Sequence, residues 1–410
     1  MLLPSKINGG PAVRINMKIF ITSYTYIYSH AYQVFDFFEN KSDLVFVIPK
    51  KWKSTKGTKQ TVYAQPRPGF KILTARTFFY HSRYPLIKGL LKGWMPGLRD
   101  ILQREAKAGD VLFSSYEPNL LVTYLYARLA RRLGLKHIFF TWQNVPYRQR
   151  LKGLKLKVTE WLLKENFRLS AGGLFGMNRA YEIHVPYLPH NPGLKTAIVP
   201  QTGINSGVFN PGVRTSSQFR RKHGLENKFV FLFAATFTKR KGVIPTIEAF
   251  ARVAPNYPPA HLVLVGMGDL ESEVKKTVGR LQLENITTVL PWQPVDQLAP
   301  MYGAADVFVH PSEPFQGWEE QFGLLMLQAQ ACGTPVITSR TGSLTETVLD
   351  GQTGILVRPG SVEDIAAAML KLAGDKGLRR QLGANASQYM IERFSNQSVA
   401  RRLEDYLRNL

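Results

Sequence analysis

The segment that most constrains the fold spans residues 311–338, with the sequence PSEPFQGWEEQFGLLMLQAQACGTPVIT. Its pattern is that of a strand end, a loop, a helix, a tight glycine turn and another strand. A helix that begins in this way places free backbone N–H groups at the carboxyl edge of a sheet, where they favour phosphate. The loop ends in Glu320, whose carboxylate can accept hydrogen bonds from hydroxyl groups. The segment therefore predicts a ligand that carries both phosphate and hydroxyls, such as a nucleotide-sugar.

Short apolar segments alternate with segments of helical periodicity along the rest of the chain. Strand patterns occur at residues 17–23, 44–49, 111–114, 136–140, 229–237, 261–270 and 285–294. This alternation indicates an α/β protein with doubly wound parallel sheets, in which ligands bind at the carboxyl ends of the strands. The length of 410 residues suits two domains, each with its own core.

The predicted domain boundary lies in a turn-rich segment that ends near Pro211. We assign residues 1–16 to an N-terminal extension and residues 17–210 to a Rossmann-like N-terminal domain. Residues 211–390 form a second Rossmann-like domain. Residues 391–410 form a C-terminal helix that we expect to pack back toward the N-terminal domain.

Composition excludes several kinds of site and of membrane attachment. The single cysteine, Cys332, rules out an internal disulfide framework and a cysteine-rich zinc site. No apolar run approaches the roughly 20 residues that a transmembrane helix needs, and residues 1–16 lack the apolar centre of a signal peptide. These features predict a cytoplasmic location, with peripheral attachment to the inner face of a membrane as the variant to test.

Positive charge is concentrated in the first half of the chain. Residues 1–205 contain 31 Lys and Arg against 10 Asp and Glu, whereas residues 206–410 contain 22 against 19. This asymmetry predicts that the N-terminal domain contacts an anionic membrane surface or a lipid-phosphate acceptor. Nucleic acid is not expected, because no base-reading motif is present. A generally basic composition is the simpler alternative.

Three segments, residues 50–59, 76–99 and 147–169, are both basic and apolar or aromatic. In the third, one helical stripe carries Leu151, Leu154, Val158, Trp161, Leu162 and Leu169, and basic residues surround it. Two interpretations remain open: an ordinary helix that faces the core, or a surface helix that rests on anionic lipid.

Three loops at predicted strand ends carry candidate ligand contacts. Trp142, Gln143 and Asn144 follow one strand and can stack on a sugar or hydrogen-bond to it, although a simple loop with a packed tryptophan explains them equally well. The cations of Lys239-Arg240-Lys241 precede a helix and suit phosphate. The Gly266-x-Gly268 turn indicates that the backbone turns tightly or lies close to a ligand.

The second half of the chain closely resembles the retaining glycosyltransferases of family 4, which have the two-domain GT-B architecture. The resemblance covers about 130 residues, in the family's order and spacing. Its motifs are KGV (241–243), LVGMG (264–268), ADVFVHPS (305–312), EQFGL (320–324), ACGTPV (331–336), GSLTE (342–346) and DGQTGILV (350–357). In the first half, TWQN, GMNRAYE and VPQTGINSGVFNP are more loosely similar.

This resemblance implies transfer of a sugar from a nucleotide diphosphate donor to an acceptor hydroxyl, such as that of a lipid-linked or cell-envelope glycan. The donor is a substrate, and neither a metal nor another cofactor is expected; the sequence has no Asp-x-Asp pair. The implied catalytic residues are Glu320, Lys241 and Arg240. The implied donor-binding residues are Thr236, Gly266, Gly268, Trp292, Gln321, Phe322, Gly323, Leu324 and Gln328. Trp142, Gln143 and Asn144 would then contact the acceptor or the transferred sugar.

The sequence departs from the family pattern at three positions. Gln328 replaces a second glutamate, which usually binds the ribose hydroxyls, and we expect weaker donor binding by about 1–2 kcal/mol. Thr236 replaces an arginine. Gln143 replaces a histidine and cannot act as a general base.

These departures keep two alternatives open. One is a degenerate, non-catalytic glycosyltransferase that acts as a binding partner. The other is a different GT-B enzyme, such as a sugar-nucleotide epimerase or a phosphorylase.

Overall fold

The computed structural model describes residues 17–53, 60–80, 89–215 and 218–410. The predicted extension at residues 1–16 lies outside the described residues, as do residues 54–59 and 81–88 of the first two basic segments. Within the described ranges no helix is long and apolar enough to cross a membrane.

The first domain is built around a parallel sheet of seven strands. Its strands are β1 (Ile19–Thr22), β2 (Leu44–Pro49), β3 (Lys51–Lys53), β4 (Thr61–Tyr63), β5 (Lys71–Ala75), β6 (Val111–Ser114), β7 (Lys136–Thr141), β8 (Gly172–Phe175) and β9 (Lys195–Ile198). The sheet order is β5-β2-β1-β6-β7-β8-β9, while β3 and β4 pair separately as an antiparallel ribbon. The helices are α1 (Leu98–Glu105), α2 (Leu121–Arg132), α3 (Tyr147–Arg150), α4 (Gly153–Leu169) and α5 (Asn178–His184).

The second domain repeats the design with six parallel strands. These are β10 (Phe229–Ala234), β11 (Ala260–Val265), β12 (Thr287–Leu290), β13 (Val307–His310), β14 (Val336–Ser339) and β15 (Gly354–Val357), in the order β12-β11-β10-β13-β14-β15. The helices are α6 (Gln218–Lys222), α7 (Val243–Val253), α8 (Glu271–Arg280), α9 (Val295–Ala304), α10 (Leu324–Ala331), α11 (Leu344–Thr347), α12 (Val362–Gly374), α13 (Lys376–Phe394) and α14 (Asn396–Arg408).

The central strands are buried along their whole length. The sequences of β2 (LVFVIP) and β10 (FVFLFA) are continuous apolar runs, and every residue in them is buried. The sequences of parallel strands are continuously apolar because helices cover both faces of the sheet. The prediction of an α/β protein with two doubly wound domains is therefore confirmed.

The chain crosses between the two domains twice, and the crossings touch. Ile204, on the first crossing, donates its N–H to the carbonyl of Phe394 (2.7 Å) and accepts from the N–H of Asn396 (2.9 Å) on the second. The predicted boundary at residue 390 falls inside α13, which continues to Phe394. Beyond it, α14 packs on the first domain, where Leu403 and Leu407 are buried in the same apolar cluster as β1 and β2.

In the apolar stripe predicted for residues 147–169, some side chains of helix α4 are buried and others are exposed. Leu162 is buried in the domain, together with Leu163 and Phe167. Leu154 and Trp161 instead remain 76% and 48% exposed. The stripe therefore serves both as a core-facing helix and as a surface with exposed apolar side chains.

Candidate active site

Helix α10 begins next to the predicted carboxylate, at the edge of the second sheet. Gly323 precedes the helix with φ of 72°, a left-handed conformation that favours glycine, and a Cβ there would lie 2.6 Å from Cε of Met326. The first N–H groups of the helix have no acceptor within it, as at any helix start. This backbone, from Phe322 to Leu324, is therefore available to a ligand with oxygen acceptors.

Glu320 and Lys241 form an ion pair at this point, although 79 residues separate them in sequence. Their side chains are only 12% and 13% exposed, respectively. Gly242, with φ of 73°, lets the loop that carries Lys241 approach the end of β13 closely, because a Cβ there would lie 2.2 Å from the carbonyl oxygen of Pro311. The Oγ atom of Ser312 lies 3.4 Å from a carboxylate oxygen of Glu320.

His310 lies at the end of β13, behind this ion pair. Burial and the neighbouring Lys241 ammonium hold the pKa of its imidazole well below the usual value. The histidine is therefore neutral at physiological pH, and the formal charges of this group are those of Glu320, Lys241 and Arg240.

Trp318 covers the cations and was missed from the sequence. The guanidinium of Arg240 lies 4.1 Å from the centre of its ring, and the ammonium of Lys241 lies 5.2 Å from it. A two-residue turn positions the ring: Gln316 and Gly317 have φ of 50° and 70°, and Phe315 and Trp318 exchange two backbone hydrogen bonds. The signal in the sequence was the Gln-Gly pair between two aromatic residues.

The remaining donor-side residues occupy different positions along the sheet. Gln328 is buried on α10, and its Oε1 atom has no hydrogen-bond partner among the described residues. Thr236 is exposed just after β10. Trp292 is exposed after β12, the edge strand, with β11 and β10 between it and the strand that precedes α10. Their roles in donor binding stay predictions.

Gly266 and Gly268 are explained by contacts within the protein. A Cβ at Gly266 would lie 2.0 Å from the carbonyl oxygen of Ala235, and one at Gly268 would lie 2.7 Å from that of Phe237. These glycines allow the loop after β11 to pack against the loop after β10. A contact with a donor at the same glycines stays a prediction.

The predicted acceptor loop of the first domain (residues 142–144) directly contacts the predicted donor loop (residues 320–324). The amide of Asn144 donates to the carbonyl of Glu320 (2.7 Å), and the amide of Gln321 donates to the carbonyl of Trp142 (3.2 Å). The rings of Trp142 and Phe322 have their centres 5.1 Å apart. The structure therefore brings Trp142 and Asn144 to Glu320, across the interface between the two domains.

Gln143 is turned toward its own loop. Its side-chain amide donates to the carbonyl of Val145, and its backbone N–H donates to Oγ1 of Thr141. The side chains of Gln143 and Asn144 are thus both hydrogen-bonded to backbone, and their binding of a sugar stays a prediction.

Glu117, which follows β6, is a second residue that was missed from the sequence. Its carboxylate accepts from the Oγ1 hydroxyl of Thr141 and from the N–H of Trp142 (2.9 Å). Burial outweighs these two hydrogen bonds and raises the pKa of Glu117 to about 7. It lies in the wall of a cavity of about 380 Å³ at the carboxyl edge of the first sheet. No local motif marks it, because its partners are about 25 residues away.

Comparison with known families identifies the second domain. Residues 215–389 match the family described as "Glycosyl transferases group 1". The chain is 34% identical over 209 residues to D-inositol 3-phosphate glycosyltransferase of Pseudarthrobacter chlorophenolicus, covering 50% of this chain and 48% of that one. It is 29% identical over 192 residues to N-acetyl-alpha-D-glucosaminyl L-malate synthase of Bacillus anthracis, covering 47% and 48%. The chain thus spans about half the length of the curated relatives it matches.

Solved structures share the fold over both domains. The crystal structure of Anabaena Alr3699/HepE in complex with UDP superposes with a TM-score of 0.73 at 17% identity, covering 96% of this chain and all of that one. The structure of WaaG, a glycosyltransferase involved in lipopolysaccharide biosynthesis, superposes with a TM-score of 0.61 at 16% identity, covering 95% and 99%. These likenesses establish the GT-B architecture that the sequence motifs predicted.

Proposed function

We propose that this chain, whose C-terminal domain belongs to the glycosyl transferases group 1 family, transfers a sugar from a nucleotide diphosphate donor to an acceptor hydroxyl. The observation that carries the proposal is the buried pair of Glu320 and Lys241, with Arg240 beside it, at the start of α10. It combines cations for a diphosphate with a carboxylate for sugar hydroxyls. UDP and glucose, separately or joined as UDP-glucose, are bound in structures of Anabaena HepE, which has the same fold.

The ion pair suggests how donor binding changes the partners of Lys241 and Glu320. In the structure Glu320 and Lys241 form an ion pair. An arriving diphosphate offers the ammonium more negative charge, so Lys241 turns to the phosphate and Glu320 becomes free to accept from the sugar hydroxyls. When the glycosidic bond breaks, Lys241 and Arg240 stabilise the charge on the departing diphosphate.

We further propose that the anomeric configuration is retained and that no metal is required. The acceptor hydroxyl attacks from the face that the diphosphate leaves, and a phosphate oxygen takes its proton. No protein nucleophile takes part in this route. Lys241, Arg240 and the backbone N–H groups from Phe322 to Leu324 supply the electrostatic stabilisation that a metal ion gives in other enzymes.

A screen for released nucleotide diphosphate over a panel of nucleotide-sugars tests the proposal. Lys241→Ala and Glu320→Ala are each expected to lower the rate by about 10²–10³-fold, because each removes a group that stabilises the transition state. Lys276→Ala, on the exposed face of α8, is the matched control and should leave the rate unchanged. Wild-type rates in both site variants would contradict the assignment.

Gln328 supports a second candidate, a degenerate transferase that binds the donor without turning it over. Its buried amide stands where a charged ribose contact is expected. If the enzyme is active, Gln328→Glu should tighten donor binding by about tenfold through a charge-assisted hydrogen bond. Donor binding by calorimetry with no nucleotide release across the panel would favour the non-catalytic protein.

We also propose that the acceptor is lipid-linked and that the first domain rests on an anionic membrane. The exposed side chains of Leu154, Val158 and Trp161 form one stripe of α4, here called the α4 face, among exposed lysines at 152, 155, 157 and 164. A groove beside it is lined by four arginines, Arg128, Arg131, Arg132 and Arg168. Apolar side chains surrounded by cations suit the headgroup region of anionic lipid.

Vesicle sedimentation tests the membrane proposal. Binding to vesicles with anionic lipid should fall as salt rises and should weaken in the double variant Leu154→Ser, Trp161→Ser. Equal binding to neutral vesicles would overturn it.

A further inference from the structure

A cavity in the first domain has the chemistry of a sugar subsite. It measures about 380 Å³ and lies among the loops that follow β1, β6 and β7. We call it the Glu117 cavity; the lining residues used below are Lys92, Glu117, Phe140, Trp142 and Gln201. The carboxyl edge of a parallel sheet is where such folds bind ligands.

Among the described residues, no cation forms an ion pair with the Glu117 carboxylate in this cavity. Its described hydrogen bonds come from an uncharged hydroxyl and a backbone N–H. Lys92 lines the same cavity, but its ammonium lies 4.5 Å from the centre of the Tyr24 ring and 5.9 Å from that of Trp52. A second anion beside Glu117 would be repelled, whereas a hydroxyl can donate to a free lone pair of its carboxylate.

Gln201 supplies the complementary hydrogen-bonding group. Its Oε1 atom accepts from the hydroxyl of Ser115 (2.6 Å), which fixes the orientation of the side-chain amide. Its Nε2 atom is buried and has no partner among the described residues. Since a buried donor without a partner is costly, a ligand oxygen that accepts from it would be bound favourably.

The aromatic wall of the cavity connects it to the donor loop. The rings of Phe140 and Trp142 meet edge to face with their centres 5.2 Å apart, and Trp142 also packs on Phe322. The backbone of Trp142 donates to Glu117 at its N–H and accepts from Gln321 at its carbonyl. A ring held in this cavity therefore contacts the residue that joins the two domains beside Glu320.

We propose that the Glu117 cavity takes an uncharged, hydroxyl-bearing ring of the acceptor, with a ring hydroxyl donating to Glu117 and a ring oxygen accepting from Gln201. This inference rests on the proposed sugar transfer. It narrows the acceptor to one whose ring in this cavity is a neutral sugar or polyol, so any phosphate of a lipid-linked acceptor lies outside the cavity.

Ligand-observed NMR on the whole chain tests the proposal without requiring turnover. The probes are methyl glucoside, methyl galactoside and methyl mannoside, each compared with its uronic acid counterpart. At pH 8, above the pKa of Glu117, we expect at least one neutral glycoside to bind about tenfold more tightly than its acidic counterpart, because the acid places a second carboxylate near the charged Glu117. Failure of every neutral glycoside to bind, or tighter binding of the acids, would overturn the proposal.

Two variants assign the preference to named residues. Glu117→Gln keeps the shape of the side chain. It should weaken binding of the neutral glycoside about tenfold and reduce the difference in affinity between the neutral glycoside and the acid. Gln201→Leu removes the free donor and should weaken both probes. Thermal melting reports whether each variant is folded, and Glu117→Asp, which keeps the charge, should restore part of the preference for the neutral ring.

The nucleotide-release screen separates this inference from the proposed function. Release that the neutral glycosides stimulate equally in wild type and in Glu117→Gln would refute the cavity inference and leave sugar transfer standing. Binding of the neutral glycosides at Glu117 with no release from any donor would support the subsite while refuting the transferase.

Discussion

Among single residues, Trp318 shows most clearly how the candidate site holds its two adjacent cations. Arg240 and Lys241 are two adjacent positive charges that repel each other. The face of the Trp318 ring attracts both, because the ring quadrupole is negative on its faces. The tight turn at Gln316 and Gly317 positions the ring against both cations.

Replacement of Trp318 should therefore weaken donor use. Trp318→Leu is expected to raise the donor KM about 5–30-fold, since each cation–π contact contributes about 0.5–1 kcal/mol or more when desolvated. Trp318→Phe should retain part of the effect. Steady-state nucleotide release measures it, with Phe37→Leu, at an exposed aromatic residue of the first domain, as the control. An unchanged KM in Trp318→Leu would show that the ring does not position the cations.

Glu117 makes stability depend on pH in a direction that can be calculated. Its pKa is raised from 4.5 to about 7 in the folded protein, so the unfolded chain loses the proton first as pH rises. The contribution of Glu117 to stability is thus complete below pH 4.5, falls through pH 7 and stays low above it. The free energy of unfolding of Glu117→Gln should exceed that of wild type by about 1–3 kcal/mol at pH 8 and differ little from it at pH 4.5. Urea unfolding at both pH values measures this, and an equal gain at both would contradict the assigned pKa.

Among the secondary-structure elements, helix α14 contributes to the core of the first domain. It follows the second domain in sequence, yet its apolar face fills the core behind β1 and β2. Polar contacts align it: the N–H of Glu39 donates to Glu404 (2.9 Å), and the hydroxyl of Tyr406 donates to the carbonyl of Lys195 (3.1 Å). The first domain therefore needs the last residues of the chain.

A cavity at this helix should destabilise the first domain. Leu403→Ala removes a side chain that is 1% exposed, and its expected cost is about 2–5 kcal/mol. Arg401→Ala, on the exposed side of the same helix, should cost less than about 0.5 kcal/mol. Hydrogen exchange of β1 and β2 locates the effect. Unchanged protection of these strands in Leu403→Ala would show that α14 does not stabilise them.

At the scale of the whole molecule, hydrogen bonds join the two domains next to the candidate active site. Asn144 donates to the carbonyl of Glu320, and the carboxylate of Glu346 accepts from the N–H groups of Asn178 (2.7 Å) and Arg179 (2.9 Å) at the start of α5. These contacts hold the predicted acceptor loop and the predicted donor loop in one closed arrangement.

Loss of the Asn144 contact should open the molecule. Asn144→Ala leaves the Glu320 carbonyl without this donor, so we expect a larger radius of gyration by small-angle X-ray scattering. Nucleotide release should fall about tenfold, because one hydrogen bond contributes roughly 1 kcal/mol and misplaced loops add to its loss. Asn256→Ala, exposed at the far side of the second domain, is the control. A closed molecule with full activity would contradict this role for Asn144.

The sequence by itself determined the features that adjacent residues encode. Apolar runs and glycine turns specified the two parallel sheets, and the motifs from Lys241 to Val357 predicted a glycosyltransferase family, whose model matches residues 215–389. Only the tertiary structure decided which partners the charged side chains meet: Glu320 meets Lys241, Arg240 meets the Trp318 ring, and Glu117 meets the backbone N–H of Trp142. The physical reason is that parallel strands bring together loops that are distant in sequence. A local pattern predicts where each loop lies, but packing determines which side chains it contacts and how far burial shifts their pKa.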